Sequence, residues 1–238
     1  MKNTWKSLRL YATSPAYVFG IPALILLMMV GVSIVIVLIM GIAVGLPLPE
    51  EAADGMRHNV GALSAVPGFM VALGIMAVTR NFGMALAFGS TRRDFWLGTS
   101  VGFVLSSLVT ASAAVVLLGV EKATKGYGLG ASALDVIVLA DGNYLVTFAA
   151  LFVASLLSLF VGAFFGTVYR AFGTVATTVS AIGFGLLVLG GIALAVWQRA
   201  SLFAWLGEWG VWAGIALGAI VTLVAAAGSF AANRLATV

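Results

Sequence analysis

The chain has 238 residues, 62% of them hydrophobic and only 8% charged, with a formal net charge of +4. That balance excludes a soluble globular domain and places the chain among integral membrane proteins. Cysteine is absent, which excludes disulfides, thiolate metal sites and thiol catalysis.

Residues 1–16 carry Lys2, Lys6 and Arg9 ahead of the first apolar run, which is too long for a cleaved secretory signal. Helical spacing puts Lys2, Lys6, Arg9 and Thr13 on one face and Trp5, Leu8 and Ala12 on another. The segment therefore reads as a helix lying in the membrane interface; a frayed basic tail that obeys only the charge rule fits the same residues. A bilayer core needs roughly 20 apolar residues per helix. Six stretches qualify: Tyr17 to Leu46, Gly61 to Thr79, Phe95 to Gly119, Tyr144 to Val168, Val175 to Trp197 and Glu208 to Ala231. The expected fold is thus all-α, a single polytopic membrane domain with six transmembrane helices over 17–231 and a short tail over 232–238. Almost unbroken apolar runs such as Leu24 to Met40 exclude a transmembrane β-barrel, whose strands alternate apolar and polar residues.

Between the first two spans, the lone histidine, His58, lies beside Arg57 and Asn59 and reads as a solvated loop residue. The spans hold no Asp, Glu, Lys or Arg near their middles, which argues against a proton-coupled carrier and against an intramembrane hydrolase. Their hydroxyls, among them Ser33, Ser106, Ser107, Thr110, Ser155, Ser158, Thr177, Thr178 and Ser180, have no base beside them and read as helix-packing or cavity-lining groups. No catalytic residue and no metal or cofactor site is assigned. Glycine pairs at four-residue spacing, such as Gly41 and Gly45, Gly162 and Gly166, and Gly214 and Gly218, suit close helix approach, but 29 glycines produce such pairs by chance. The stretch Val120 to Asn143 is glycine-rich with a mixed-charge group, Glu121, Lys122 and Lys125; it reads as a solvated connector in preference to a cap. Trp197, Trp205, Trp209 and Trp212 flank the ends of the last two spans as an interfacial aromatic belt.

Charge sets the orientation. With the N-terminus cytoplasmic, Lys2, Lys6, Arg9, Arg80, Arg92, Arg93, Arg170 and Arg234 share that side with a single acid, Asp94. The other side holds Arg57, Lys122, Lys125 and Arg199 against Glu50, Glu51, Asp54, Glu121, Asp135, Asp141 and Glu208. This is the positive-inside pattern with both termini cytoplasmic. The basic balance follows from topology, so no nucleic-acid partner is implied.

The most specific local signal lies between the second and third spans. After Arg80, Asn81 to Phe88 is helix-compatible and Gly89 is placed to end it. Thr91-Arg92-Arg93-Asp94 is a capping-box variant that starts the next helix, with Thr91 as N-cap. The product is a helix, turn, helix elbow that projects Arg92 and Arg93, placed to pair with acidic groups of a partner. From charge alone they read as anchors for lipid phosphates.

The run Ala87-Phe88-Gly89-Ser90-Thr91-Arg92-Arg93-Asp94-Phe95-Trp96-Leu97-Gly98-Thr99 resembles a cytoplasmic loop of the six-span permease subunits of type-two ABC exporters. The layout resembles theirs too, with an N-terminal interfacial segment, six spans and a coupling helix between spans two and three. The link Gln198 to Gly207 is shorter than the external re-entrant hairpin of many of those permeases. The resemblance implies a cell-membrane complex of two permeases, this chain and a second copy or paralogue, with two separate ABC ATPase subunits that bind ATP and Mg. It implies that Gly89, Ser90, Thr91, Arg92, Arg93, Asp94 and Phe95 make the coupling contact, and that the cargo is an amphipathic or hydrophobic compound such as an antibiotic, peptide or lipid-like molecule. The chain itself has no G-x-x-x-x-G-K-[ST] phosphate loop, so ATP hydrolysis is expected in a partner. Two other classes fit the spans: an autonomous carrier or channel, and a membrane scaffold or sensor whose Arg92 and Arg93 bind a signalling partner.

Overall fold

The computed structural model describes residues 20–58, 61–197 and 210–235. The interfacial segment 1–16, the link Gln198 to Gly207, Trp205, Trp209 and the last residues of the tail lie outside them. The described chain is all-helical: α1 (Ile21–Val44), α2 (Glu50–Arg57), α3 (Ala65–Ala87), α4 (Arg92–Ala123), α5 (Tyr144–Trp197) and α6 (Val211–Leu235). Among the described residues, five helices, all but α2, are long and apolar enough to cross a membrane. This is a multi-pass membrane protein, and the apolar side chains left exposed along α1, such as Met28, Ile39 and Ile42, are what a lipid-facing helix requires.

Residue choice accounts for each boundary. Helix α1 stops where Gly45 takes φ 88°, its N–H still donating to the Gly41 carbonyl at 2.9 Å. A Cβ on Gly41 would meet the Leu46 side chain, so this glycine pair closes a helix end instead of forming a seam between helices. Helix α2 was not expected. It forms because Glu50 and Glu51 occupy its first turn and Arg57 its last, each charge complementing the helix dipole. Asn81 to Ala87 is the continuation of α3, so the span called from Gly61 to Thr79 runs two turns further and no separate coupling helix stands between it and α4. At the other end of α4 the helix continues past Gly119 to Ala123. Asn143 then caps α5, its Oδ1 accepting the N–H groups of Leu145 (3.0 Å) and Val146 (3.2 Å).

Helix α5 is interrupted at a single residue, Gly173, with φ 78° and ψ −172°. The rings of Phe165 and Phe184 lie 5.7 Å apart across this break. In an unbroken helix they would be separated by roughly 28 Å at about 1.5 Å per residue. The chain therefore doubles back, and α5 is a helical hairpin with limbs on either side of Gly173. A Cβ at this position meets nothing within 4 Å, so glycine is required by the backbone conformation alone. Gly173→Ala is expected to cost on the order of 1–3 kcal/mol through strain, read as a lower midpoint in detergent thermal unfolding. An unchanged midpoint would show that the turn adopts another conformation.

The described residues form two compact units. One gathers 71–101 with 159–197 and 210–235; the other gathers 20–58, 61–70 and 102–158. In the first, α3 and the first limb of α5 cross closely on glycine. A Cβ on Gly162 would collide with the Val71 carbonyl oxygen and one on Gly74 with that of Leu159, while one on Gly166 would come within 3.0 Å of the Ile75 carbonyl. Of the three glycine pairs named above, Gly162 and Gly166 sit at such a crossing, whereas Gly214 faces open space.

Candidate functional site

The elbow between α3 and α4 belongs to the first unit, and its turn is built from paired hydrogen bonds. Gly89 has φ 76°. Its N–H donates to the Leu86 carbonyl (2.9 Å) and that of Ser90 to the Ala85 carbonyl (3.0 Å). These two bonds make a Schellman turn, in which a glycine in left-handed conformation closes a helix and satisfies its last carbonyls. Two residues later, Thr91 Oγ1 accepts the Asp94 N–H at 3.1 Å, and the Phe95 N–H donates to the Thr91 carbonyl at 2.9 Å. Thr91 is therefore the N-cap that the sequence indicates. The reciprocal half of the box differs from the usual form: the short Asp94 carboxylate accepts the Thr91 hydroxyl at 2.9 Å instead of reaching the N-cap amide.

Packing fixes the elbow from beneath. Phe95 is 3% exposed, its ring edge-on to Phe82 at 5.2 Å, and Ala85 and Leu86 complete that cluster. Trp96 packs on Phe230 of α6 at 5.0 Å. Asn233 of α6 donates from Nδ2 to the Arg92 carbonyl at 2.9 Å, although its partner is far away in sequence. From α5, Arg170 donates from Nη1 to the Thr79 carbonyl (3.1 Å) and lays its guanidinium over the Phe82 ring, 4.7 Å from the centroid.

The seven residues named from the sequence are thus brought together, but they divide by burial. Ser90 and Phe95 are buried and hold the turn, and Asp94 is partly covered and completes the cap. Thr91, Arg92 and Arg93 are exposed at its tip. Phe88, 66% exposed beside Gly89, joins them as an aromatic side chain that the sequence reading left out of the site. The signal available in the sequence was its position, a large aromatic side chain immediately before the glycine that closes the helix.

The second unit holds a different polar assembly, in the stretch read from sequence as a solvated connector. That reading is corrected. Ala131, Leu134, Val136 and Leu139 are buried, and the segment is organised around Glu121, itself 1% exposed. One carboxylate oxygen accepts the N–H groups of Ala133 and Asp135 and the other that of Leu134, all at 3.0 Å. The physical reason is that a helix-borne carboxylate supplies acceptors to a non-helical strip whose own amides have none nearby. The Leu48 N–H donates to the Leu129 carbonyl at 3.2 Å, attaching the loop after α1 to the glycine turn at Gly126–Gly130. Burial pushes the Tyr127 phenol up to about 12, with the charge of Glu121 adding to the shift.

Arg57, at the end of α2, reaches three acids: Asp141 at 3.0 Å, and Asp54 and Asp135 each at 3.6 Å. Lys122 donates to the Asp141 carbonyl at 3.3 Å and lies 5.4 Å from the Tyr144 ring centroid. One guanidinium thus ties three aspartates together around a folded segment. Among the described residues no group of acids and histidine is arranged to hold a metal ion. His58 is exposed at the end of α2, as a solvated residue should be.

A comparison with protein-family profiles finds no match, and comparisons with curated proteins and with solved structures find none either.

Proposed function

We propose that the chain is the permease subunit of an ATP-driven exporter of the type-two ABC class, moving an amphipathic or hydrophobic compound out of the cytoplasm. The observation that carries this reading is the elbow. It is a self-capped, internally bonded turn on a multi-pass membrane protein, and its tip offers two adjacent arginines and an exposed phenylalanine. A tip of this kind suits docking on a separate subunit with acidic groups and an apolar pocket. In this reading the two limbs of α5 are separate crossings, giving six spans with both termini cytoplasmic. The fold-back of Phe184 on Phe165 supports that count, and the positive-inside distribution supports the orientation. Two ATPase subunits and a second permease, identical or paralogous, complete the assembly, with ATP and Mg held by the ATPases.

The test is co-expression with a candidate ATPase, and measurement of association and ATP hydrolysis for the native chain and for Arg92→Glu with Arg93→Glu. The native pair is expected to co-purify. The double reversal is expected to weaken association at least tenfold, on the order of 1.4 kcal/mol or more, while the isolated subunit keeps its thermal midpoint. Association indifferent to the reversal removes the arginines from docking. Solute flux through the chain alone in vesicles free of ATPase makes it an autonomous carrier instead.

A further inference from the structure

We infer that Arg170 is a positioning residue that pins the α5 hairpin turn to the elbow and fixes the angle at which the elbow is held. The pin itself stands whatever the elbow docks on; its consequence for transport rests on the coupling reading above.

Arg170 lies three residues before Gly173, on the last turn of the first limb. From there its one side chain reaches α3 at two heights. Nη1 donates to the Thr79 carbonyl at 3.1 Å, and the guanidinium carbon lies over the Phe82 ring, 4.7 Å from its centroid. Phe82, wholly buried, meets Phe95 of α4 edge-on at 5.2 Å. A continuous stack therefore runs from the hairpin turn through α3 to the first turn of α4: guanidinium, Phe82 ring, Phe95 ring. Each contact uses a preferred geometry of its kind, cation over ring face and ring edge against ring face. A planar fork that bonds and stacks at once is a property of arginine that lysine does not share.

The position of the pin matters because the other supports of the elbow come from its own residues, from α6, or from Phe160 in the middle of the first limb of α5, whose ring lies 6.4 Å from that of Trp96. Arg170 is the α5 contact that lies within one turn of the residue at which that helix reverses. Any change in the direction of the second limb at Gly173 is thereby transmitted to the ring stack under the elbow. An arginine that served only to meet lipid phosphates would extend from the surface; this one is turned inward onto a backbone carbonyl and an aromatic face.

The sequence has no cysteine, so nitroxide labels can be attached at introduced cysteines without background. Phe88→Cys on the elbow and Val175→Cys on the second limb are exposed sites, and Met76→Cys with Phe88→Cys reports on α3 alone. The experiment measures both distance distributions in the full chain in lipid nanodiscs by pulsed electron resonance. With Arg170→Met, which keeps the apolar stem, the 88–175 distribution is expected to broaden at least twofold while the 76–88 distribution stays as narrow as in the native background. Arg170→Lys, retaining charge but not the fork, is expected to fall between. An unchanged 88–175 distribution overturns the pin. Broadening of both pairs overturns it too, because the arginine would then support α3 in general. No ATPase is needed for either distribution, so failure of the exporter reading leaves the result interpretable.

Discussion

Replacing Glu121 by alanine is expected to lower the midpoint of thermal unfolding in detergent by roughly 6–12 °C, the largest single-residue effect anticipated away from the helix crossings. Three backbone N–H groups now end on this carboxylate. Removing it leaves each without an acceptor in a buried setting, at about 1–3 kcal/mol apiece. Relief of the carboxylate's own desolvation acts in the opposite direction, but bonds to a charged acceptor are the stronger kind, and a net loss of about 3 kcal/mol or more remains. Glu121→Gln keeps one carbonyl acceptor and turns an amide donor toward the remaining N–H, so it should lose a smaller share. The damage should be local, with amide exchange rising first over Ala131 to Val136. A midpoint within a degree of the native value in both variants would mean that the segment holds its shape by apolar packing, with the carboxylate a passenger.

Gly162→Leu is the second large effect: a chain that inserts but does not hold the crossing of α3 with α5. Even the Cβ of Gly162→Ala would collide with the Val71 carbonyl oxygen, a backbone atom that cannot rotate away, so the two helices must separate. That shift alone costs about 1–3 kcal/mol, and the remainder of a leucine side chain cannot be placed between backbones in contact. Gly190→Ala serves as control, since nothing lies within 4 Å of its Cβ position. The expected outcome is a sharp loss of monodisperse protein on heating for Gly162→Leu, a partial loss for Gly162→Ala and none for Gly190→Ala. Equal behaviour of the two alanine variants would show that helix propensity, and not the crossing, sets the response. Gly74→Ala acts on the same crossing, so combining it with Gly162→Ala should give less than the sum of the separate losses.

What could be read from the chain beforehand was whatever is encoded locally. The long apolar runs announce membrane helices through composition alone, and the elbow is announced by a glycine followed at short range by a capping threonine and its aspartate. Features that depend on distant partners gave no such signal. Glu121 sits in the sequence as one charge in a mixed group, and its role depends on amides twelve to fourteen positions further on. Arg170 counted only as one more basic residue on the positive side, because its partners, Thr79 and Phe82, are brought to it by folding. Helix α2 was missed because eight residues between two long apolar runs are short enough to pass for a loop, although Ala52, Ala53 and Met56 share one face and Glu50, Glu51 and Arg57 mark its polarity. The glycine pairs show the limit most directly. All three have the same spacing, and only the facing carbonyls distinguish the pair at a crossing from the pair beside a loop.

The Schellman turn at Gly89 has a thermodynamic consequence for whatever meets the elbow. The backbone N–H groups of Gly89, Ser90, Asp94 and Phe95 are already bonded within the chain. Contact therefore has no loop to order, and the conformational entropy lost is confined to the side chains at the tip, Phe88, Arg92 and Arg93, at roughly 0.5–1.5 kcal/mol each. A partner would find the surface in its bound shape beforehand, so the speed of encounter should be governed by charge steering and fall as salt is added, with little contribution from refolding.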